Sequence, residues 1–372
     1  MPSTSEATPS PAASPEPQTI VERSGAIGRI RLNRPRALNS LTLEMVRDMQ
    51  AALDAFERDP GVAAVLVTGE GERGLCAGGD IRAIHDAGRT GSDLPRTFWR
   101  EEYRLNARIN RYSKPYVALM DGIVMGGGVG VSVYGSHRVV TERTRLAMPE
   151  TGIGFFPDVG ASWFLTRQPN ELGTYVALTG EPLGAADALT LGLADRYVPS
   201  DRLPALIEAL TNLPPDATGK AISDAILRFC ETPQPGALEP KQAEIDRLFH
   251  FTSVEEILEA LERVQSPFAE KVMGVLRTKS PLSLAVTMRL LRLGRESRTL
   301  EACLQREFAA TTAVLRSPDF YEGVRAAIID KDRNPQWQPA TLEKVTDAAL
   351  APFFEPSTET LFADTAKGGL NT

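Results

Sequence analysis

The chain has 372 residues, of which 42% are hydrophobic and 24% are charged, the composition of an ordinary globular protein. Its 41 Lys and Arg against 48 Asp and Glu give a formal net charge of −7, which argues against nucleic acid or an anionic membrane as the main partner. No hydrophobic run reaches the roughly 20 residues that a membrane-spanning helix needs. Because single cores rarely grow beyond about 250–300 residues, the length predicts two lobes.

Cysteine and histidine usage gives no sign of cross-links or metal. The three cysteines are scattered, which excludes a disulfide framework and suits a reducing compartment. The three histidines lack the spacing of metal ligands, so no metal site is predicted. Residues 1–18 are rich in Pro, Ser, Thr and Ala and contain no Lys or Arg, unlike a secretory signal or a mitochondrial presequence. We expect 1–18 to be a disordered tail on a cytoplasmic protein.

In the first half of the chain, strand and helix patterns alternate. Short apolar runs predict buried strands, and Thr42 stands as the N-cap of a helix whose apolar residues recur three and four apart. The predicted elements are a strand over 28–32, the helix after Thr42, a strand over 63–68, a helix over 95–112 and strands over 116–120, 138–141 and 145–147. This order indicates an α/β core over 19–199.

After about Pro199 the strand-like runs stop and long helical patterns follow, separated mostly by turns rich in Pro, Gly or Ser. The predicted helices cover 203–210, 222–229, 254–264, 268–277, 282–293, 300–315 and 321–329. We therefore expect a helical C-terminal domain over 200–372.

Two glycine-rich passages, 76–80 and 125–130, each follow a strand-like run and precede helical sequence. Glycine lets a ligand approach main-chain N–H groups closely, and one N–H from each passage could bind a single developing oxyanion. Alone, each passage is better explained as a tight turn. Neither has the spacing of a dinucleotide fingerprint or of a phosphate loop.

Two carboxylates, Glu150 and Asp158, lie eight positions apart in an otherwise uncharged, glycine-rich stretch. Buried carboxylates are costly unless paired, so acids in such a stretch suggest a site. The alternative is that they cap helices or face solvent.

A third carboxylate, Glu102, shares the apolar stripe of Phe98, Leu105 and Ile109 in the helix predicted over 95–112. The spacing of four, three and four directs it inward, which suggests the wall of a site. A buried ion pair, or a boundary side chain that reaches solvent, would give the same pattern. Three conspicuous neighbours are interpreted as structural: Trp99 as a packing residue, His85 as a solvated helix residue and Cys76 as a small buried residue.

Together these residues resemble the crotonase (enoyl-CoA hydratase/isomerase) superfamily over about 20–199, and within it the 3-hydroxyisobutyryl-CoA hydrolase branch most closely. The resemblance is carried by Glu101-Glu102-Tyr103-Arg104-Leu105-Asn106, by Met-Gly-Gly-Gly-Val-Gly at 125–130 and by the segment from Met-Pro-Glu to Phe-Pro-Asp-Val-Gly at 148–160. It implies an α/β fold with a crotonase-like ββα spiral core, and the helical C-terminal region also resembles that branch.

The resemblance implies hydrolysis of 3-hydroxyisobutyryl-CoA, a step of valine degradation. It makes Gly79 and Gly127 the oxyanion donors and Glu150 and Asp158 the catalytic acids. The residues that would contact the acyl-CoA substrate are Glu102, Gly127, Glu150, Asp158, Asp80, Ile81 and Arg82, with Arg82 directed to the nucleotide of CoA. No separate cofactor is expected, because coenzyme A belongs to the substrate. The family suggests a homo-oligomer formed through the C-terminal helices, whereas the longer helical region of this chain could cover the same surface within one chain.

The chain departs from the hydratase pattern at Gly130, where hydratases of the superfamily carry a second catalytic glutamate. Adding water to a double bond needs two acid/base groups, whereas thioester hydrolysis needs an oxyanion hole, one activated nucleophile and a proton for the thiolate. This favours a thioester hydrolase. The alternatives are an enoyl-CoA hydratase/isomerase and a non-catalytic acyl-CoA-binding protein.

Overall fold

Two mostly parallel sheets form the centre of the computed structural model, which describes residues 16–362. The strands are β1 (Thr19–Ser24), β2 (Ile27–Leu32), β3 (Ala64–Gly69), β4 (Gly74–Cys76), β5 (Tyr116–Met120), β6 (Ile123–Met125), β7 (His137–Val140), β8 (Arg145–Ala147) and β9 (Arg196–Tyr197). The larger sheet has the order β1-β2-β3-β5-β7-β9, and only its β1–β2 pair is antiparallel. Its central strand β5 is buried along its whole length, as expected where both faces of a sheet are covered.

The smaller sheet contains β4, β6 and β8 in that order, and all three run parallel. Each strand is only three residues long. Because neighbouring parallel strands end at the same edge, the three segments that follow them meet at one place.

The helices surround both sheets. They are α1 (Leu43–Arg58), α2 (Ile81–Arg89), α3 (Leu94–Asn110), α4 (Gly127–Gly130), α5 (Ala161–Phe164), α6 (Leu172–Thr179), α7 (Ala185–Thr190), α8 (Leu203–Thr211), α9 (Gly219–Leu227), α10 (Gln242–Phe249), α11 (Val254–Val264), α12 (Pro267–Leu276), α13 (Pro281–Glu296), α14 (Leu300–Val314), α15 (Pro318–Val324) and α16 (Asp347–Leu350). Within the described residues, none of them is long and apolar enough to cross a membrane.

The fold class expected from the sequence, α/β with a helical C-terminal region, is confirmed. Every strand and helix predicted by pattern is present, and Thr42 caps α1 by accepting from the N–H of Met45. The prediction missed β1, β6, β9, α5, α6, α7, α10 and α16, and it assigned no strand to 74–76, where β4 lies. A three-residue strand is too short to show the alternation on which such predictions depend.

The helices after Pro199 pack on the core in two ways. Helices α8 and α9 cover the outer face of the larger sheet, where Leu206 and Ile222 join a buried cluster with Leu66 and Val117. Helices α13, α14 and α15 pack instead against α3, α5 and the turn at Glu150–Ile153. A second buried cluster runs without interruption from strand β2 into α15, and the division into 19–199 and 200–372 stays a prediction about independent domains.

Most of the predicted tail over 1–18 lies outside the described residues. Of its last three residues, Gln18 is anchored: its side chain donates a hydrogen bond to Glu44 and accepts one from the Thr42 hydroxyl.

Candidate active site

The carboxyl ends of β4, β6 and β8 deliver the residues of one cavity. Strand β4 leads into Gly79, β6 into Gly127 and β8 into Glu150. Helix α3 closes a side with Glu102, and the segment after Glu150 returns with Asp158. The arrangement follows from strand direction, since parallel neighbours carry their carboxyl-end loops to a common edge.

The cavity encloses about 160 Å³ and has a mostly apolar wall around a few polar groups. Trp99 and Phe155 form part of that wall, stacked with ring centroids 5.4 Å apart. Its lining consists of Ala77, Gly78, Gly79, Ile81, Phe98, Trp99, Glu102, Met125, Gly126, Gly127, Pro149, Glu150, Ile153, Phe155, Asp158 and Ile328.

The main chains of Gly79 and Gly127 lie close together at the cavity wall. A β-carbon at position 127 would come 3.3 Å from the nitrogen of Gly79 and would overlap Oε1 of Glu102, so only glycine fits there. Among the described residues neither N–H donates a hydrogen bond to the protein. Two adjacent, unpaired donors at a cavity wall are the arrangement that an oxyanion hole requires.

Glu102 points inward from α3, as its helical spacing predicts, and only 2% of the residue is exposed. Its Oε1 has no hydrogen-bond partner among the described residues. The two arginines that offered a buried ion pair are engaged elsewhere: Arg104 donates to the carbonyl of Leu361, and Arg108 pairs with Glu57. Glu102 is therefore an uncompensated carboxylate at the cavity wall.

Glu150 begins a 3₁₀ turn directly after Pro149, and its Oε2 also lacks a partner among the described residues. A β-carbon at Gly126 would lie 2.9 Å from its Oε1, and Gly126 has a φ of +47°, so glycine is needed there for both space and conformation. The C-terminal region supports the turn, because the N–H of Ser280 donates to the carbonyl of Thr151 at 3.0 Å.

Asp158 lies at the cavity wall, where its Oδ2 accepts a hydrogen bond from the Tyr103 hydroxyl at 2.7 Å. Tyr103 is fully buried against α14, where its ring meets Phe308 edge to face. Tyr103 belongs to the motif at 101–106 that carries the family resemblance, but no role was predicted for it. Its place beside Glu102 on a helix with a wide buried face is a second sequence signal.

Burial and mutual repulsion shift the ionisation of all three acids. Desolvation, then the charges of Asp158 and Glu150, raise the pKa of Glu102 well above its ordinary value. Desolvation and then Asp158 do the same for the pKa of Glu150, which Lys279 opposes. Burial raises the pKa of Asp158 to about 7, against the effect of the Tyr103 hydrogen bond. All three acids therefore hold their protons more tightly than exposed carboxyl groups do, and ionisation of Asp158 opposes ionisation of both glutamates.

Of the other predicted substrate contacts, Ile81 lines the cavity and Asp80 and Arg82 do not. The Asp80 carboxylate caps α2 by accepting from the N–H of Ala83 and pairs with Arg34 at 2.9 Å. Arg82 donates to the carbonyl of Ile328 at 3.0 Å, so it fastens a residue that covers the cavity. A role of Arg82 at the nucleotide of CoA stays a prediction.

The three residues interpreted as structural have different outcomes. Cys76 is fully buried, and burial raises the pKa of its thiol to about 12, which confirms a small buried residue. His85 is also buried, with Tyr321 packed edge-on at 5.5 Å, so its interpretation as a solvated residue was wrong. Trp99 packs as expected but also forms cavity wall.

Position 130 has no room for a side chain. A β-carbon on Gly130 would lie 2.8 Å from Cβ of Val159 and 2.9 Å from Nδ2 of Asn106. Both neighbours are buried, so neither can move aside cheaply. The space in which hydratases of the superfamily carry their second acid is filled in this chain by packing.

Comparison with known proteins agrees with this arrangement. The model of the enoyl-CoA hydratase/isomerase family matches residues 27–354. The chain belongs to the enoyl-CoA hydratase/isomerase family. The crotonase-like fold and the resemblance noted in the sequence are thereby confirmed.

Relatives within the family carry two kinds of name. Proteins named 3-hydroxyisobutyryl-CoA hydrolase, mitochondrial, from Gallus gallus and Xenopus tropicalis are 42% and 44% identical, and each match covers 91% of this chain and 88% of the relative. The solved structure of a carnitinyl-CoA dehydratase from Mycobacterium thermoresistibile is 42% identical with a TM-score of 0.87, covering 93% of this chain and 98% of that one. The expected cytoplasmic location finds no support in these names.

The buried acids generate a prediction for stability. Because Asp158 binds its proton more tightly in the folded chain than in the unfolded chain, its contribution to stability falls as pH rises from about 4 through about 7. Asp158→Asn removes that ionisation and keeps an acceptor for Tyr103. Relative to wild type, the variant should gain free energy of unfolding between pH 5 and 8, by at most about 4 kcal/mol. Denaturant titrations at several pH values measure this difference.

The control for that experiment is Asp187→Asn, at a buried aspartate that does not line the cavity and that accepts from the N–H of Leu238. A change in stability that appears equally in both variants would be a general effect of replacing a buried aspartate. An Asp158→Asn difference that stays flat, or that reverses sign with rising pH, contradicts the assignment of a raised pKa to Asp158.

Gly130→Glu tests the packing at position 130. The new side chain would collide with Val159 and Asn106, so we expect loss of about 2 kcal/mol or more of stability and no hydration of crotonyl-CoA. Gly184→Glu, at a glycine whose β-carbon would meet nothing within 4 Å, is the control and should fold normally. Hydration by a stable Gly130→Glu protein would show that the site accepts a second acid there.

Proposed function

We propose that this chain hydrolyses the thioester of a short 3-hydroxyacyl-CoA, with 3-hydroxyisobutyryl-CoA as the first choice, to give 3-hydroxyisobutyrate and CoA. The observation that carries the proposal is the pair of N–H groups, at Gly79 and Gly127, that donate to no described residue and line one cavity with Glu150, while packing against Val159 and Asn106 leaves no room for a side chain at position 130. The relatives named as hydrolases of this substrate support the choice.

The thioester carbonyl oxygen binds between the N–H groups of Gly79 and Gly127. Negative charge develops on that oxygen as the carbonyl becomes tetrahedral. Each preformed donor typically stabilises such a transition state by about 3–4 kcal/mol. The adjacent nitrogens need no rearrangement to receive it.

Glu150 activates the attack in one of two ways. Its carboxylate adds to the carbonyl carbon and expels the thiolate to give a mixed anhydride, which water then hydrolyses, or it removes a proton from the attacking water. Both routes require the ionised form. Because the pKa of Glu150 is raised by burial and by Asp158, its carboxylate is also more basic than an exposed one.

Asp158 serves the other side of the reaction. Tyr103 donates to Oδ2, and no side chain of the described residues donates to Oδ1, which we assign to the substrate hydroxyl or the water. Since its pKa is raised to about 7, a substantial fraction is protonated at neutral pH. That proton can neutralise the departing thiolate. A carboxyl group with an ordinary pKa would rarely be protonated at neutral pH and so could not supply it.

The size and wall of the cavity favour a short hydroxylated acyl group. An apolar cavity of about 150 Å³ accommodates benzene, a group of six non-hydrogen atoms, which is also the number in a 3-hydroxyisobutyryl group. The cavity of about 160 Å³ matches that size. Glu102, with an unpaired oxygen at the wall, offers an acceptor for the hydroxyl.

The name of the Mycobacterium thermoresistibile relative favours a second candidate, the addition or removal of water at a carbon–carbon bond. That chemistry needs two acid/base groups acting on one water. Val159 and Asn106 fill the position of the missing acid, so hydrolysis is the better match. A thiol-release assay with 3-hydroxyisobutyryl-CoA, run beside a hydration assay with crotonyl-CoA, separates the two. Absence of both activities would indicate a protein that binds acyl-CoA without turning it over.

Glu150→Gln tests the nucleophile. The substitution keeps the shape of the side chain but removes its basicity and nucleophilicity, so we expect kcat for thiol release to fall at least about 10²-fold. The matched control is Glu171→Gln, at a buried glutamate paired with Arg292 and Arg295 outside the cavity. It should lose stability and keep kcat within a few-fold. Turnover near the wild-type value in Glu150→Gln would remove this residue from the mechanism.

Glu102→Ala tests recognition of the hydroxyl. A site that hydrogen-bonds a substrate hydroxyl discriminates strongly against the analogue lacking it, so wild type should prefer 3-hydroxyisobutyryl-CoA over isobutyryl-CoA at least about 10²-fold in kcat/KM. The variant should lower that preference below about 10-fold, chiefly by slowing the hydroxylated substrate. Glu101→Ala, which breaks only a surface ion pair with Arg47, should keep the preference. Equal slowing of both substrates by Glu102→Ala would mean that Glu102 does not bind the hydroxyl.

A further inference from the structure

A fourth buried carboxylate, Glu307 of α14, lies outside the cavity lining and has no exposed surface. It accepts three hydrogen bonds: from the N–H of Gly160 at 2.6 Å, from the N–H of Ser162 at 3.1 Å and from the Ser162 hydroxyl at 2.5 Å. None of the ion pairs among the described residues includes it. Burying a carboxylate without a cation is costly, and these three donors offset part of that cost.

The donors belong to the segment that follows Asp158, and that segment is strained. Val159, a β-branched residue, has a φ of +51°, and Gly160 has a φ of +84°. A left-handed β-branched residue costs about 1–3 kcal/mol and persists only where its surroundings hold it. Here Glu307 holds the residues after Val159, and the Tyr134 hydroxyl donates to the Val159 carbonyl at 2.7 Å.

We propose that Glu307 is a positioning residue that acts through Asp158: its three hydrogen bonds fix the strained turn at 159–162 and so aim the Asp158 carboxylate into the cavity. The inference rests on the proposed thioester hydrolysis. Tyr103 fixes one oxygen of Asp158 from the side chain, and Glu307 fixes the backbone that carries it. Displacement of a reacting group by about 1 Å can reduce a rate about 10²-fold. Loss of the hydrogen bonds to Glu307 would therefore slow the reaction by letting Asp158 shift.

The electrostatics agree with this proximity. Burial raises the pKa of Glu307 to about 8, and the charge of Asp158 adds to the rise, while the hydrogen bonds from Ser162 and Gly160 oppose it. The other titratable groups that sense Glu307 are Tyr103, Tyr134 and Cys303, which are neutral.

Glu307→Gln is the informative variant. An amide has one acceptor oxygen and an NH₂ group, so at least one of the present donors would face N–H groups instead of an acceptor. We expect kcat for thiol release to fall about 10- to 100-fold while KM changes by less than about 3-fold. Glu171→Gln, the buried glutamate outside the cavity, is the control for loss of stability without loss of kcat.

A double-mutant cycle with Asp158→Asn decides whether the effect passes through Asp158. In the Asp158→Asn background, single-turnover rates should fall less than about 3-fold on adding Glu307→Gln, because there is no carboxylate left to aim. Independent, multiplicative effects of the two substitutions would overturn the proposal, as would a Glu307→Gln enzyme with wild-type kcat.

If Glu307→Gln does not fold, a milder substitution, Ser162→Ala, tests the same proposal alone and in the Asp158→Asn background. Ser162→Ala removes only the hydroxyl donor, and it should lower kcat by a smaller factor that also disappears in the Asp158→Asn background. An Ser162→Ala effect that persists there would overturn the proposal. A wild-type protein that releases no thiol from any 3-hydroxyacyl-CoA contradicts the proposed function itself, which distinguishes the two failures.

Discussion

Three carboxylates share one small cavity, and the cost of enclosing them governs the rest of the site. The cavity lining includes no arginine. Burial raises the pKa of Glu102, Glu150 and Asp158, and the charge of Asp158 raises that of both glutamates further. A structural ion pair would lower the cost but would also remove the basicity and the unpaired oxygens that chemistry needs. The site therefore depends on a scaffold stable enough elsewhere to carry groups that weaken it.

That scaffold combines both halves of the chain. The small parallel sheet brings Gly79, Gly127 and Glu150 to one edge, which is a consequence of strand direction alone. The C-terminal region supports what the sheet presents. Ser280 at the start of α13 holds the turn after Glu150, and Glu307 of α14 holds the turn after Asp158.

Much of this could be predicted from the sequence, and the failures have physical causes. Helical spacing alone directed Glu102 inward, and unexplained acids in an apolar, glycine-rich stretch marked Glu150 and Asp158. The partnership of Gly79 with Gly127 came from the family resemblance, because two glycine passages separated by nearly fifty residues carry no local signal of proximity. Tyr103 was missed because a buried tyrosine is ordinary in a helix core, and its bond to Asp158 is a long-range contact.

Glu307 was missed although the rule that found Glu102 applies to it. It lies on the buried stripe of α14 with Leu300, Leu304 and Thr311, at spacings of four, three and four. The sequence pattern predicted these C-terminal helices, but no functional residue was assigned to them. The interpretation of His85 as a solvated residue was wrong for a different reason. Its partner Tyr321 lies far along the chain, so no residue near His85 in the sequence indicated that it is buried.

Because the catalytic turns depend on α13, α14 and α15, the site can form only late in synthesis of the chain. A ribosome releases the chain from its amino end, so the sheet edge with Gly79, Gly127 and Glu150 emerges well before Ser280 and Glu307. Until those residues leave the exit tunnel, the turns after Glu150 and Asp158 lack the hydrogen bonds that Ser280 and Glu307 make in the folded chain. A chain truncated before α13 lacks both of these supports.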